Sequence, residues 1–420
     1  MSSNTSLPIL IIGAGVAGSV LAISLRQKGY EVILFEKYNG PAPGGASLNL
    51  APNGLKVLNN LGLAKLLFSR GIAAPVEILS YRTHEKVLVN SDIPLAVKEH
   101  FGFPFAGVKR SVFLQYLLET VQAEGVDIRF GHALKDIDQG ETSVLAKFEN
   151  GQQVMGSILI GCDGLHSQTR ITLFGQEIPE YTGLTQTAGL TRVSHHHRKM
   201  QNIFGDNIHM ISYAVGKGQS DDNNNDSLIS WAITRKEKEG RESWKTEDSD
   251  VLRKELIGQL HCEWDNGVLA EELVANAPAI LKFGLYDRKE LKTWYKDRVV
   301  LIGDAAHPTA PHLGQGANQA LEDVKMLTEL LFNHLPPSRF STLTSIQDLN
   351  VAFETLNDKR ISRTSTLVAK AREVGRLRVL PSNNVKAEKR NVMIREEWSQ
   401  SNEILLQMYE KLFGYNSTIQ

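Results

Sequence analysis

The chain has few cysteines, almost no net charge and no long apolar run. Only two of its 420 residues are cysteines, Cys162 and Cys262, and their separation matches no metal-ligand or redox motif. This excludes a disulfide scaffold and a cysteine zinc site, and it predicts two small buried apolar side chains in a reducing compartment. A formal net charge of −1 gives no basic surface for nucleic acid or an anionic membrane.

The segments that usually direct secretion or membrane insertion are also missing. The first residues, MSSNTSLP, are polar and lack the basic start of a signal peptide. No window reaches the roughly 18 apolar residues of a membrane span. With 42% apolar residues and a length that allows two domains, the chain is predicted to be a soluble cytoplasmic protein.

Residues 8–37 have the pattern of a strand, a glycine-rich turn, a helix and a second strand. Glycines at such a turn allow a sharp bend, close approach of a pyrophosphate and tight packing of the helix on the strand. The helix N-terminus offers free N–H groups to a phosphate. Glu36, at the end of the second strand, can accept hydrogen bonds from ribose hydroxyls, which favours FAD or NAD over NADP. An ordinary glycine turn leaves Glu36 unexplained. The glycines of the G-x-G-x-x-G pattern are Gly13, Gly15 and Gly18.

Two later segments indicate further contacts with a nucleotide. A buried strand at 157–160 is followed by Asp163 and Gly164, and a second at 299–302 is followed by Asp304. Asp304 can hold hydroxyl groups, and the N–H groups at 314–317, where a glycine loop opens a helix, can face an electron-rich ring edge. The alternative for this second segment is a purely structural strand, loop and helix.

Two other positions are weaker candidates for cofactor contact. Small residues at 44–47 would let a flat ring lie against the backbone, although an ordinary loop has the same composition. Arg110 precedes a helix for which Ser111 is the predicted N-cap. Its guanidinium can bond a phosphate or a ring carbonyl there, whereas an isolated arginine is more often a surface charge.

Alternating patterns elsewhere predict a second, sheet-rich domain. A hairpin is expected at 78–89, and long strands are expected between 181 and 231 and at 279–288. The three histidines at 195–197 predict a solvated loop rather than a metal site, because neighbouring side chains on a strand or turn point in different directions. Residues 350–420 predict amphipathic helices, broken at Pro381, that pack on the body or on a second copy in a homodimer.

Together these patterns predict an α/β fold. It consists of a Rossmann-type domain that binds FAD or NAD, an inserted β-sheet substrate domain and a helical C-terminal tail. The predicted boundaries are 1–75, 107–178 and 287–340 for the dinucleotide-binding domain (the FAD-binding domain, by the resemblance given next), 76–106 (a hairpin) and 179–286 for the substrate domain, and 341–420 for the helical region.

The motifs GAGVAG with Glu36, GCDGLHSQTR and GDAAHPTAPHLGQGANQALED resemble those of the FAD-dependent aromatic hydroxylases, single-component flavin monooxygenases with the p-hydroxybenzoate hydroxylase fold. The resemblance extends over about residues 8–330. It implies FAD as cofactor and NAD(P)H as co-substrate, the latter bound without a second Rossmann domain. The implied cofactor-binding residues are Gly13, Gly15, Gly18, Glu36, Lys37, Ala46, Ser47, Arg110, Asp163, Asp304, Gly314, Gly316, Ala317 and Asn318.

The resemblance also implies a reaction. Reduced FAD and O2 would form a flavin hydroperoxide, which inserts one oxygen atom into a small molecule by hydroxylation or epoxidation, with Pro311 against the reactive ring face. Many of these hydroxylases carry an aromatic-arginine pair shortly after the Thr182-Gly183 position, whereas this chain has an arginine only at Arg192. That is more similar to enzymes of secondary metabolism acting on aromatic, indole or terpenoid substrates, and it implies Arg192 and Tyr213 as catalytic residues.

Other functions agree with the same motifs. A halogenase of this fold would carry a W-x-W-x-I-P motif, but Trp231 stands alone. An FAD-dependent reductase or dehydrogenase, or a non-catalytic FAD-binding regulator, needs nothing beyond the nucleotide motifs. His307 and His312 flank the flavin loop, where they could exchange protons, although packing or capping is the more common role of such residues.

Overall fold

The computed structural model describes residues 7–40, 46–83, 85–194, 198–216, 226–238, 245–246, 250–260, 270–338, 340 and 344–414. Cys262 and the three histidines at 195–197 lie outside these residues, and Cys162 is buried as expected. Within the described part of the chain, no helix is both long enough and apolar enough to cross a membrane.

Strands and helices alternate along the first half of the chain, and helices dominate its end. The strands are β1 (Ile9–Ile12), β2 (Val32–Phe35), β3 (Ser47–Leu50), β4 (Ala73–Val76), β5 (Ile78–Thr83), β6 (Val87–Ser91), β7 (Phe105–Lys109), β8 (Asp127–Arg129), β9 (Leu134–Gln139), β10 (Val144–Phe148), β11 (Gln153–Gly156), β12 (Ile158–Gly161), β13 (Glu180–Val193), β14 (Lys199–Phe204), β15 (Ile208–Val215), β16 (Ser227–Lys236), β17 (Lys245–Thr246), β18 (Ile280–Asp287), β19 (Tyr295–Lys296) and β20 (Val299–Leu301). The α-helices are α1 (Val16–Gln27), α2 (Pro52–Asn60), α3 (Ala64–Ser69), α4 (Ile93–Phe101), α5 (Arg110–Ala123), α6 (Gln168–Phe174), α7 (Asp250–Ile257), α8 (Ala270–Ala275), α9 (Gly316–His334), α10 (Ile346–Arg378), α11 (Val385–Trp398) and α12 (Asn402–Phe413).

A six-stranded sheet forms the first half of the fold, in the order β19-β20-β12-β1-β2-β8. All its neighbouring strands pair in parallel except β19 with β20. The four residues of β1 are all buried, as expected for a parallel strand covered on both faces. Because the strands run the same way, the turns after β1, β12 and β20 meet at one edge of the sheet. This confirms the predicted Rossmann-type arrangement.

An eight-stranded sheet forms the second half, in the order β17-β18-β13-β16-β15-β14-β5-β6. Alternate residues of β16 divide its two faces. Ile229, Trp231 and Ile233 enter a core completed by α7 and α8, and Ser230 lies on the opposite face. That opposite face is turned toward β3, and we call it the substrate face. The hairpin β5–β6 joins this sheet through the parallel pair β5–β14.

Three local expectations need correction or addition. Ser111 is not the N-cap of α5, because the helix already begins at Arg110 and its N-cap is Lys109. Helix α4 lies inside the segment expected to form only a hairpin, and β14 was not predicted. The C-terminal helices pack on the body, α10 against α9 and α12 against α4.

Candidate active site

The glycine-rich turn after β1 is packed too tightly for side chains at two of its three glycines. A Cβ at Gly18 would collide with the carbonyl oxygen of Gly13, and a Cβ at Gly13 would lie 2.6 Å from the carbonyl oxygen of Cys162. Gly13 also has a φ of +101°. Nothing lies within 4 Å of a Cβ at Gly15, so the start of α1 is open to a ligand.

Glu36 closes this turn from the neighbouring strand. Its Oε2 accepts a hydrogen bond from the backbone N–H of Ala14 at 2.9 Å, and its Oε1 accepts one from the N–H of Tyr38 at 3.1 Å. The side chain is only 5% exposed. Lys37 is exposed, with its Nζ 5.2 Å from the centre of the Tyr38 ring. Glu36 is therefore placed where the dinucleotide pattern requires an acid.

Asp304 and Arg110 are brought together from distant parts of the sequence. Asp304 lies in the turn after β20, is open to solvent, and accepts no hydrogen bond from the residues described. Although Asp304 meets solvent, the protein around it partly desolvates the carboxylate and raises its pKa, an effect that the charges of His307 and Arg110 oppose. Desolvation lowers the pKa of Arg110, and Asp304 opposes that shift. The Nε of Arg110 is buried without a hydrogen-bond partner, which indicates a site for a further acceptor.

The loop that opens α9 carries Pro311 and the last group of predicted cofactor contacts. Pro311 is exposed in a short 3₁₀ turn, which we call the Pro311 turn, and Gly316 and Ala317 begin the helix, where N–H groups lack helical acceptors. The side chain of Asn318 is fully used, because its Oδ1 accepts from Ala51 N–H at 2.9 Å and its Nδ2 donates to the carbonyls of Asn49 and Gly314. Asn318 thus fixes the loop against Asn49 and Ala51.

Asp163 uses its carboxylate inside the protein. Oδ1 accepts a hydrogen bond from Ser167, and Oδ2 accepts two from Thr169, so that the acid caps the start of α6. Burial raises the pKa of Asp163, and these hydrogen bonds oppose the rise. Only the backbone of Asp163, which packs against Gly13, remains to meet the cofactor predicted for this edge.

Tyr213 stands on the substrate face within a short chain of hydroxyl groups. Its Oη lies 2.9 Å from the Oγ of Ser47, which in turn lies 2.6 Å from the Oγ of Ser230. Burial raises the pKa of Tyr213, while the hydrogen bonds with Ser47 and Ser230 oppose that rise. Ser47 belongs to β3, so this contact joins the two halves of the fold. Ser230 was not predicted, although its place opposite Tyr213 follows from the strand register.

Other predicted residues lie near this face without joining the hydroxyl chain. The backbone carbonyl of Ala46 accepts a hydrogen bond from the N–H of Arg110 at 3.2 Å. Arg192 shares the substrate face, since it pairs with Leu228 two residues along β16 from Ser230, but it is exposed.

The arrangement fits FAD. The open start of α1 suits a pyrophosphate, and the turn that carries Asp304 packs beside it, since a Cβ at Gly303 would lie 3.4 Å from the Cβ of Ala17. Asp304 and the unpartnered Nε of Arg110 offer an acceptor and a donor. The N-terminus of α9 adds backbone donors next to Asp304, because a Cβ at Gly316 would lie 3.7 Å from the Oδ1 of Asp304. No group of three or more histidine, cysteine or acidic side chains in the described part of the chain is arranged to hold a metal ion.

Comparisons with known proteins show the family to which the chain belongs. A family model described as "FAD binding domain" matches residues 6–343. The 3-amino-4-hydroxybenzoate 2-monooxygenase of Streptomyces platensis is 30% identical over 77% of this chain and 79% of its own length. The 6-hydroxynicotinate 3-monooxygenase of Bordetella bronchiseptica is 28% identical over 85% of this chain and 88% of its own. Klebsiella pneumoniae HpxO, solved with FAD and uric acid, superposes with a TM-score of 0.79 at 21% identity over 97% of both chains. The chain therefore belongs to the FAD-binding-domain family, as one of its FAD-dependent monooxygenases.

Proposed function

We propose that this enzyme hydroxylates a small aromatic ring held between the Pro311 turn and the substrate face. The observation that carries the proposal is the hydroxyl chain of Tyr213, Ser47 and Ser230, which reaches from the FAD-binding half of the molecule onto the substrate face. A phenolic substrate needs a group that holds its hydroxyl in place and stabilises the charge that develops on the oxygen, and a tyrosine hydrogen-bonded to two serines supplies one.

The roles of the residues follow from their positions. The turn at 13–18 and Glu36 would hold the adenosine end of FAD, and Arg110, Asp304 and the start of α9 would hold the remainder. When bound, FAD accepts hydride from NAD(P)H and delivers one oxygen atom of O2. Tyr213 is neutral at pH 7, and burial raises its pKa further. Its hydroxyl can donate a hydrogen bond to the oxygen of a substrate hydroxyl and stabilise the charge that develops there, while Ser47 holds the tyrosine in place. Arg192 stays cationic and cannot act as the base.

The names of the relatives support a ring substrate. The Streptomyces platensis and Bordetella bronchiseptica enzymes are named for single aromatic rings that carry a hydroxyl group. This favours ring hydroxylation over epoxidation of an alkene. Indole and terpenoid substrates, secondary metabolism and a homodimer stay predictions from the sequence.

Turnover with product analysis tests the proposal. The holoenzyme is supplied with O2, NADH or NADPH and a panel of hydroxylated benzoates, pyridines and indoles, and products are weighed by mass spectrometry. We expect a gain of one oxygen atom on a ring substrate. A product lighter by two hydrogen atoms would instead establish a dehydrogenase.

Variants then test the hydroxyl chain. Tyr213→Phe should keep FAD but lower kcat by roughly 10²- to 10⁴-fold, the usual contribution of a general acid or base. Tyr295→Phe, which alters a hydroxyl bonded to Glu354 away from the substrate face, is the control. Full activity of Tyr213→Phe on a phenolic substrate would contradict the assigned role.

A further inference from the structure

Glu322, in the second turn of α9, is a fully buried glutamate with no part in the site described so far. Its carboxylate accepts hydrogen bonds from two other helices. Oε1 accepts one from Nδ2 of Asn53 on α2 at 2.7 Å, and Oε2 accepts one from Nη1 of Arg360 on α10. Arg363, one turn further along α10, donates to both oxygens. Glu322 therefore joins α2, α9 and α10 at one point.

The same hydrogen bonds reach Gln315, the N-cap residue of α9. Gln315 is only 4% exposed, and its Oε1 accepts hydrogen bonds from Nδ2 of Asn53 at 3.1 Å and from Nε2 of Gln319 at 3.2 Å. Each of these two amides gives its second hydrogen bond to Glu322. Glu322 therefore orients both of the side chains that hold Gln315.

The position of Gln315 sets the position of the backbone donors that follow it. The N–H groups of Gly316 and Ala317 begin α9 and lack acceptors within the helix. They lie beside Asp304, because a Cβ at Gly316 would lie 3.7 Å from its Oδ1. A shift of Gln315 would thus move these donors relative to Asp304, which is another predicted contact of FAD.

Arg363 connects Glu322 to the last helix of the described chain. Its Nε and Nη2 each lie 2.8 Å from a carboxylate oxygen of Glu322, which is the geometry of a bidentate pair. Its Nη1 and Nη2 also donate to the carbonyl oxygens of Lys411 and Leu412, at 3.2 Å and 2.9 Å. These carbonyls end α12, where a helix attracts positive charge. One guanidinium thus holds the end of α12 and the carboxylate of Glu322 together.

We propose that Glu322 is a positioning residue for the flavin, and that Arg363 makes this positioning depend on the docked helix α12. The inference rests on the proposed function, because it takes the start of α9 as a contact of the flavin ring. With α12 docked, the guanidinium is fixed on Glu322, which in turn fixes Gln315 through the two amides. With α12 displaced, the Arg363 side chain, already 20% exposed, can turn toward solvent, and the start of α9 loosens.

The reduction potential of bound FAD separates positioning from stability. A helix N-terminus stabilises negative charge beside it, and reduction adds negative charge to the flavin ring. When the start of α9 is displaced, FAD should therefore become harder to reduce, and its midpoint potential should become more negative. A residue that only stabilises the fold would change the melting temperature and leave this potential unchanged.

Arg363→Met tests the link between α12 and the flavin. Arg360 still pairs with Glu322 in this variant, so the protein should fold. We expect FAD to bind about 2- to 30-fold more weakly, the range for residues that act through a packed network, and the midpoint potential to become more negative. Fluorescence titration of the apoprotein and spectroelectrochemistry of the holoenzyme measure the two effects. Lys411→Met, which removes an exposed side chain from the end of α12 and keeps its carbonyl, should match the wild type.

Phe413→Ala loosens α12 by a different route and serves if Arg363→Met does not fold. The Phe413 ring packs against Phe101 and Phe105, and its loss should move the midpoint potential in the same direction. If both substitutions act through the docking of α12, their effects on FAD affinity should not add. The double variant should bind FAD little more weakly than the more affected single variant.

A lower melting temperature of Arg363→Met with the FAD affinity and midpoint potential of the wild type would overturn the positioning role. Strictly additive losses of affinity in the double variant would also overturn it. If Arg363→Met shifts the potential as expected but the wild type yields no hydroxylated product, the positioning role stands and the proposed function is rejected. Hydroxylation by the wild type, together with an unchanged flavin in Arg363→Met, would do the reverse.

Discussion

Glu36 supports the glycine-rich turn through two backbone N–H groups before it meets any ligand. The carboxylate is buried, and both of its oxygens are hydrogen-bonded. Removing this side chain should loosen the turn that is expected to face the pyrophosphate. Loss of Glu36 should therefore weaken cofactor binding more than the loss of one contact with the ribose would.

Glu36→Ala should therefore weaken FAD binding by roughly 10- to 100-fold, the loss expected for hydrogen bonds to a charged group. Titration of the apoprotein with FAD, followed by quenching of flavin fluorescence, measures the change. Glu31→Ala removes an exposed acid that is ion-paired with Arg26 and should bind FAD as the wild type does. Equal affinities for the two variants would contradict the assigned role of Glu36.

Gly107 is packed so tightly that there is no space for a Cβ atom. It lies on β7, and a Cβ there would collide with the carbonyl oxygen of Ala214 and approach Cδ2 of Tyr213 to 2.8 Å. Gly107→Ala should lower the free energy of unfolding by about 1–3 kcal/mol, as overpacking does. Urea unfolding followed by circular dichroism measures it. Gly40→Ala, where a Cβ has open space, should change stability little, and a Gly107→Ala protein as stable as this control would refute the close contact.

At the scale of elements, a buried charge network joins α9 to α10. Arg360 donates to Glu322 at 2.5 Å and to Asp323 at 2.6 Å, and all three side chains are almost fully buried. His307 lies 2.6 Å from the same Asp323. Burial alone would raise the pKa of Asp323, but His307 and Arg360 outweigh it and hold that pKa below its usual 3.8.

Arg360→Met should remove about 3–5 kcal/mol of stability at pH 7, because it leaves the buried Asp323 with only His307, and the buried Glu322 with only Arg363, as an ion-pair partner. A carboxyl with a lowered folded-state pKa stabilises the protein above pH 3.8 and loses that contribution as the pH falls through the folded value. The difference between wild type and variant should therefore narrow below about pH 4. Thermal unfolding from pH 7 to pH 3 measures both effects. Arg395→Met, which breaks the exposed pair with Glu388, should cost less than 1 kcal/mol, and a similar loss in both variants would contradict the argument.

An element could be predicted when its sequence pattern involves only neighbouring residues. The strands β13, β15 and β16 alternate clearly, and the glycine turn needs only adjacent residues, so both were predictable. Strand β14 and helix α4 are short, so their sequence patterns are weak. Their apolar side chains are buried by packing in one cluster with β5 and α12, which the local sequence does not reveal. The active site divides in the same way. Gly13 to Glu36 is one continuous pattern, whereas Ser47, Tyr213 and Ser230 meet only in three dimensions.

At the scale of the whole molecule, the last helix is fastened to an early part of the chain. Phe413 packs its ring 5.8 Å from Phe101, 5.4 Å from Phe105 and 5.1 Å from Tyr409. These aromatic rings lie against the hairpin that completes the eight-stranded sheet. The C-terminal region thus supports the half of the molecule that carries the eight-stranded sheet.

Phe413→Ala should lower the free energy of unfolding by about 3–5 kcal/mol, as expected for a buried phenylalanine. Ile404→Ala changes the same helix at a side chain that is 44% exposed, and it should cost much less. Differential scanning calorimetry on the holoenzymes compares them. If both variants melt together with the wild type, α12 does not stabilise the fold as described.

The eight-stranded sheet consists of strands that lie far apart in the sequence and are therefore synthesised at different times. Strand β5 pairs with β14, which begins about 120 residues later, and β18 begins about 80 residues after the start of β14. The hairpin β5–β6 therefore leaves the exit tunnel with no sheet to join and with an unpaired edge. During translation this edge stays unpaired and open to aggregation until β14 has been synthesised. The yield of active enzyme should therefore depend on the supply of chaperones more strongly than the stability of the folded protein alone would predict.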